Sequence, residues 1–321
     1  MGLFDKIKDP IFLKDDSASV HQLATLQEIR KTAAGELAER LDEEIRQVDA
    51  GIYGEKAVRY ELENSHIPMF VLHDLYLENN GLTAQIDYLI VTRKHQFVVE
   101  CKNLYGNIEI TGSGDFIRTV SYGRHIKKEG IYSPITQNRR HLELIKQIRG
   151  AEKGNFLAEA IFEKHFYENY RSVVVLANPK TVLNAKYAKK EVREQVIKVD
   201  QLAEHIRKVD ANPKVEATSE KEMETLARFF LNIHKEQKID YTEKFRDIQE
   251  FSGEAQSIPE LQAEENPKEK LDSAQQILCP KCGAVMIKRK AAKGANVGKE
   301  FYGCSNYPKC RGIVNIQEEM L

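Results

Sequence analysis

The sequence predicts an α/β domain built on a mixed sheet, followed by a small module stapled by metal. Three observations carry that prediction. Apolar runs of strand length alternate with amphipathic segments in the order helix, strand, strand, strand, helix, strand. Residues 240–272 hold ten acids against four bases and few large apolar side chains. Four of the five cysteines, Cys279, Cys282, Cys304 and Cys310, stand together towards the C-terminal end.

In chain order, Val20, Leu23, Leu26, Ile29, Ala33, Leu37, Leu41, Ile45 and Val48 recur at steps of three or four, which predicts one helix over 18–48. Its stripe packs on its own domain or serves self-association. A second helix is expected over 50–65, after a break at Gly51. Strands are predicted at 69–75, 84–92 and 96–102, joined by the turn "ENNG" and the short connection "RKH". "GNIEIT" and "DFIRTV" form a further hairpin. A helix over 134–148 carries Pro134 in its first turn, where proline is favoured. The apolar "RSVVVLAN" at 171–178 and "QVIKV" at 195–199 add strands, and helices near 200–208 and 218–236 complete the globular part. The expected division is a helical segment at 1–50, a domain at 51–236 with its core at 51–178, an acidic linker at 237–276 and a cysteine module at 277–316. The linker's composition buries too little apolar surface to order it.

With 321 residues, 41% apolar and 30% charged, the chain has the composition of a soluble globular protein. Its longest clear apolar run, "VVVLA" at 173–177, is far short of the ~20 residues of a membrane span. "MGLFDKIKDP" has no apolar signal core. A cytoplasmic protein with no membrane partner is expected. The net charge of −1 conceals a basic segment: Cys279 to Gly312 holds eight Lys/Arg and one acid, Glu300. Such a segment fits a polyanion.

The cysteines are spaced C-x2-C, then 21 residues, then C-x5-C. Clustered cysteines without a secretory context point to metal rather than disulfides. Four thiolates close a tetrahedral Zn²⁺ site, one structural ion per chain, with no position left for substrate. Strand-like "AVMIKRK" and "EFYGC" make the module a zinc ribbon. Lys288, Arg289, Lys290 and Lys293 offer phosphate contacts, and Tyr302 and Tyr307, with Phe301, offer stacking faces. A place in the ribbon's own small core competes for Phe301 or Tyr302. "CPKCG" and "FYGCSNYPKC" resemble the C-terminal zinc-ribbon repeat of bacterial type IA topoisomerases. The resemblance implies binding of DNA that is single-stranded or has single-stranded regions.

The stretch "QFVVECKNLYG" ends an apolar strand on charge. Alternation puts Glu100 and Lys102 on one face and Cys101 on the other. In the preceding strand Gln85, Asp87, Leu89 and Val91 are expected to share a face, and a hairpin around "RKH" brings Asp87 towards Glu100. Two carboxylates and a lysine at a strand end suit phosphodiester hydrolysis. Asp87 and Glu100 would hold Mg²⁺, or Mn²⁺ in its place, while Lys102 orients water or stabilises phosphoryl charge. Glu55 on the helix before the sheet, unless spent on an ion pair with Arg59, and Gln137 on the helix after it are drawn to the same edge. "GIYGE", "VLHDL", "AQIDYLIVT", "FVVECKNLYGNI" and "PITQNRRHL" together resemble the NERD (nuclease-related) domain, a branch of the PD-(D/E)xK nuclease superfamily. That resemblance implies a restriction-endonuclease-like αβββαβ core. It also implies Asp87, Glu100 and Lys102 as the catalytic triplet, with Glu55 and Gln137 in support. The expected function is a metal-dependent DNA nuclease. The alternative is a non-catalytic nucleic-acid-binding adaptor on a nuclease-like fold. His73–Asp74 is not by itself a phosphohydrolase signature, and Cys101 lacks a histidine placed to activate it.

Overall fold

The computed structural model describes residues 6–123, 125–236, 240–246, 279, 281, 286–290, 300–304 and 312–315. Two compact units divide the chain, Met1–Ile258 and Pro259–Leu321.

In the first unit β1 (Ile11–Lys14) precedes α1 (Ala18–Thr32) and α2 (Gly35–Glu63). The helix expected over 18–48 is therefore two. Ala33 and Ala34 are extended and Gly35 takes a left-handed φ of 56°, so the chain reverses there. Gly51, the expected break, lies inside α2. A helical glycine costs only ~1 kcal/mol, and the packing of α1 on α2 outweighs it. Leu26, Ile29 and Leu41 are buried with Phe245, and Ala33, Leu37, Ile45 and Val48 pack around them. The apolar stripe is thus used within the chain. Asp74 caps α1 from a distance, its Oδ2 accepting the Ala18 amide at 2.6 Å.

The main sheet follows with β2 (Phe70–Asn79), β3 (Leu82–Val91) and β4 (Gln96–Lys102). Next come β5 (Asn107–Ile110), β6 (Phe116–Tyr122), β7 (His125–Ile131), α3 (Pro134–Ala151), α4 (Phe156–Asn169) and β8 (Tyr170–Leu176). β9 (Leu183–Asn184), α5 (Lys190–Arg193), β10 (Val196–Lys198), α6 (Leu202–Asp210) and α7 (Glu220–Ile233) complete the unit. The six-stranded sheet runs β1-β2-β3-β4-β8-β10, with β2, β3 and β4 antiparallel in succession and β8 parallel to both β4 and β10. A second sheet, β7-β6-β5-β9, contains the expected hairpin.

Helices cover both faces of the main sheet, as its apolar strands require. Val58 and Leu62 of α2 and Leu202 and Ile206 of α6 pack with Tyr88, Ile90, Phe97 and Val99. On the other face Leu142 and Ile145 of α3, Phe166 of α4 and Phe230 of α7 pack with Leu72, Leu75, Ile86, Leu89 and Val98. Buried Asn138 bolts α3 to the sheet, donating to the Val98 carbonyl, the Ser172 hydroxyl and the Val173 carbonyl at 2.7, 3.1 and 3.3 Å.

In the second unit β11 (Met286–Lys290), β12 (Glu300–Cys304) and β13 (Ile313–Asn315) form an antiparallel sheet. Cys279, Met286 and Cys304 are buried together, with Tyr302 and Val314 packed on them. Among the described residues no helix is long and apolar enough to cross a membrane. The acidic stretch lies almost wholly outside the described residues.

Candidate active site and zinc ribbon

Strict alternation along β3 does not survive. Leu89 and Val91 face α3, but so do Ile86 and Ala84, so the face changes hands at Asp87. β2 does the same: Leu72 and Leu75 share the α3 face across His73 and Asp74, and Asp74 sits at a left-handed φ of 50°. The register on either side stays constant, His73 opposite Tyr88 and Leu75 opposite Ile86, so matched irregularities cancel. The expectation that Gln85, Asp87, Leu89 and Val91 share a face is therefore wrong. Asp87 reaches the site because the pleat is interrupted there.

Where β3 and β4 part, the last pair is Tyr88 opposite Val99. Asp87 and Glu100 come next. Asp87 turns its Oδ2 to accept the Cys101 amide at 2.6 Å. β4 itself stays regular: Val98 faces α3, Cys101 packs with the α2 face, and Glu100 binds Lys102 at 2.6 Å. Gln137, in the first turn of α3, accepts from Lys102 Nζ at 3.2 Å. Ser133 caps that turn by accepting the Thr136 amide, which fixes where Gln137 emerges.

Glu55 arrives from the opposite face on α2. Its Oε2 lies 3.0 Å from His73 Nε2, and its backbone carbonyl accepts the Tyr88 hydroxyl at 2.9 Å. His73 stacks on Tyr88 with ring centres 4.5 Å apart. Arg59 pairs with Asp15 and Glu63 instead, so Glu55 is not spent on an i, i+4 ion pair. One glycine makes the approach of α2 possible. A Cβ on Gly54 would fall 2.7 Å from Asn103 Cβ, 3.2 Å from Cys101 Sγ and 3.3 Å from Ala177 Cβ. Asn103 in turn donates to the Ala50 carbonyl at 2.7 Å, tying α2 to the end of β4.

Burial pushes the Asp87 carboxyl well above the usual carboxylate range, and the charges of Glu100 and Glu55 add to it. Glu100 is also raised by burial, against the pull of Lys102 and Gln137. For Lys102, burial favours the neutral amine, but Glu100 and Asp87 outweigh it and the group is held charged. Burial and the neighbouring carboxylates raise the Cys101 thiol well above its ordinary value, so it is neither thiolate nor nucleophile. His141 of α3 stands 3.9 Å from Glu100 Oε2 and is lowered to about 4 by burial and by the charge of Lys102.

The donors suit a hard divalent cation, being carboxylate oxygens close enough to raise one another's proton affinity. Glu100 Oε1 is engaged by Lys102, while its buried Oε2 has no hydrogen-bond partner among the described residues. No group of three or more His, Cys, Asp and Glu fit to hold a metal occurs among the described residues. Asp87 and Glu100 are a pair, which is what Mg²⁺ takes when substrate and water complete its shell.

Tyr88, Gly54 and His141 escaped the sequence reading, and His73 enters it only with Asp74, where it is discounted. Gly54 had a signal, as a glycine beside a candidate acid on a helix; the others are a histidine and a tyrosine on apolar strands and a histidine on a polar helix.

In the ribbon, Cys279 and Cys304 share one buried cluster, while Cys282, Cys310, Lys293 and Tyr307 lie outside the described residues. Tyr302 packs on that cluster, so the core has claimed it, which weighs against an open stacking face. Phe301 occupies the opposite face of β12 and is the register partner of Arg289; Lys288 pairs with Tyr302 and Lys290 with Glu300.

Comparison with known proteins follows the same division. The family model described as "Nuclease-related domain" matches residues 50–177, and "Topoisomerase DNA binding C4 zinc finger" matches 276–319. Over 34 residues the chain is 59% identical to DNA topoisomerase 1 of Methanocaldococcus jannaschii, covering 11% of this chain and 4% of that protein. No solved structure gives a significant match. With the strand ends and the buried cysteine pair described, the chain is placed: it carries a nuclease-related domain of mixed α/β architecture and a topoisomerase-type C4 zinc ribbon.

Proposed function

We propose that the protein is a metal-dependent nuclease that hydrolyses phosphodiester bonds in DNA, with the ribbon holding single-stranded regions. The observation that supports it most is the buried, unpartnered Oε2 of Glu100 beside Asp87 and a charged Lys102. Lys102 pairs with the other oxygen of that carboxylate, but an oxygen buried without a hydrogen bond is costly unless water or a ligand takes it up.

Asp87 and Glu100 would hold the cation, Mg²⁺ or Mn²⁺. When bound it polarises the scissile phosphodiester and makes an attacking water more acidic. Glu55, steadied by His73, adds a third negative charge that draws a cation towards Asp87 and Glu100. Lys102 cannot act as a base while charged; its ammonium, aimed by Gln137, stabilises charge developing on phosphoryl oxygen. Four thiolates, Cys279, Cys282, Cys304 and Cys310, would hold one structural Zn²⁺. Carriage of both activities on one chain raises the effective concentration of bound strand at Asp87 and Glu100.

The test is cleavage of labelled single- and double-stranded DNA with Mg²⁺ or Mn²⁺, by wild type and by Lys102→Ala. Cleavage by wild type alone is expected. Equal inactivity with both metals sinks the reading.

A further inference from the structure

Parallel β4 and β8 end side by side, with Lys102 in register with Leu176 and the Ala177 amide donating to the Lys102 carbonyl at 3.0 Å. The connection from β8 to β10, residues 178–195, therefore starts beside the candidate active site. In sheets with parallel strands, ligands gather outside these carboxyl ends.

This connection is built rather than loose. Lys198 Nζ donates to the carbonyls of Asn178, Pro179 and Thr181 at 3.2, 3.0 and 2.7 Å. The Thr181 hydroxyl donates to the Leu104 carbonyl at 2.7 Å, and β9 adds a parallel strand to β5. Ala188 is buried with Ile108, Phe116 and Leu176, and Ile135, two residues before Gln137, packs on the same cluster. One small core thus fixes the connection, the second sheet and the turn that carries Gln137.

What the connection presents outward is basic. It holds five Lys/Arg against two acids in a chain of net charge −1. Lys180, Lys186, Lys189, Lys190 and Arg193 are all exposed, and Lys190 makes a loose contact with Glu194 at 3.8 Å. Tyr187 is 68% exposed, with the Lys186 ammonium 5.6 Å from its ring centre. Cations flanking an open aromatic face, on a connection that leaves the sheet beside Lys102, match a single strand that runs its phosphates over the lysines and stacks a base.

We infer that the β8–β10 connection is a single-stranded DNA clamp of the nuclease-related domain, separate from the zinc ribbon, which leads the phosphodiester backbone towards the strand ends that carry Asp87 and Glu100. The inference rests on the nuclease reading for its purpose, but binding tests it independently.

The experiment uses the full zinc-loaded chain in a Glu100→Gln background, with fluorescein-labelled oligo(dT) and a salt titration. Lys186→Gln, Lys189→Gln and Lys190→Gln are combined; Lys208→Gln, Lys214→Gln and Lys221→Gln, also exposed, are the control. Three lost phosphate contacts lower the slope of log K against log salt by about 2, at roughly 0.7 each. The control leaves it unchanged. Tyr187→Ala weakens binding roughly 5- to 150-fold, from ~1–3 kcal/mol per stacked base. Lysine reactivity mapped by mass spectrometry should show DNA protecting Lys186, Lys189 and Lys190. Equal behaviour of the two triple variants, or absence of protection, overturns the clamp. Protection and slope loss in a chain whose wild type cleaves nothing would uphold the clamp and remove the nuclease.

Discussion

Gly51 and Gly54 stand one turn apart on α2, and their replacement by alanine is expected to have opposite effects. Nothing lies within 4 Å of a Cβ built on Gly51. Gly51→Ala should therefore gain the helix-propensity difference, ~1 kcal/mol. Gly54→Ala gains the same propensity but puts its methyl 2.7 Å from Asn103 Cβ, where carbons rest at ~3.5–4.0 Å. About 1 Å must be cleared. Asn103 is tied to the Ala50 carbonyl, and its Cβ is not the far end of a flexible chain. Overpacking of this kind costs ~1–3 kcal/mol. The two variants should then differ by that amount, or roughly 2–12 °C in Tm at ~2–4 °C per kcal/mol. The displacement also carries Glu55 from the strand ends, and a shift near 1 Å can cost ~10²-fold in rate. Thermal unfolding followed by circular dichroism, beside the Mg²⁺-dependent cleavage rate, measures both. If Gly54→Ala matches Gly51→Ala in Tm, the close approach of α2 to β4 is not what the packing implies, and the placement of Glu55 fails with it.

His73→Phe preserves stacking on Tyr88 but removes the contact to Glu55; activity or metal affinity should fall ~10–100-fold with little change in Tm, and an equal loss in both would make the role structural. His141 is lowered to about 4 by burial and by Lys102, so between its ordinary value and pH 4 the unfolded chain binds a proton that the fold refuses. Stability is lost as pH falls through that window, by ~3 kcal/mol, and His141→Gln should lose that much less in urea titrations at the two pH limits. Asp87 and Glu100, being raised, act in the reverse sense, so the comparison between proteins, not the wild-type curve alone, carries the test. In the ribbon, Phe301→Ala should weaken oligo(dT) binding by ~1–3 kcal/mol while zinc content holds, whereas Tyr302→Ala should reduce zinc retention through the core.

The sequence made Glu100 and Lys102 legible because β4 is regular and period-2 reasoning applies to it. Asp87 was reached by the same reasoning on a strand where it fails. Nothing in "VLHDLYLEN" or "AQIDYLIV" announces that Asp74 adopts a left-handed φ; no glycine marks the spot. The aspartate itself supplies the explanation, since it tolerates that conformation and its Oδ1 and Oδ2 take up the Gln85 side chain and the Ala18 amide. α4 was invisible for another reason. Phe162 and Phe166 face inward while Phe156, Leu157 and Ile161 are exposed, so apolar residues lie all round and no period stands out. β1 is short, and β7, "HIKKEGI", has apolar side chains only at Ile126 and Ile131, which leaves neither with an alternating pattern. The break at Ala33–Ala34 is decided by Leu26 and Ile29 finding Leu41 and Phe245, a contact that no local propensity encodes.

The energetic cost of the site explains why so much of the structure is spent fixing it. Three carboxylates and one lysine share a buried strand end, an arrangement that repels itself when no cation is present. Left alone, such a cluster would relax by opening α2 or α3 away from the sheet. Each helix is instead pinned close to the acid or amide it delivers. Tyr88 and Asn103 bind the carbonyls of Glu55 and Ala50 on α2, and Asn138, one residue beyond Gln137, makes three hydrogen bonds into the sheet. Those anchors are neutral and wholly or partly buried, so salt and moderate pH leave them intact while the charges they confine remain strained. Proton uptake at Asp87 or Glu100 relieves that strain, as would the divalent cation proposed for the site.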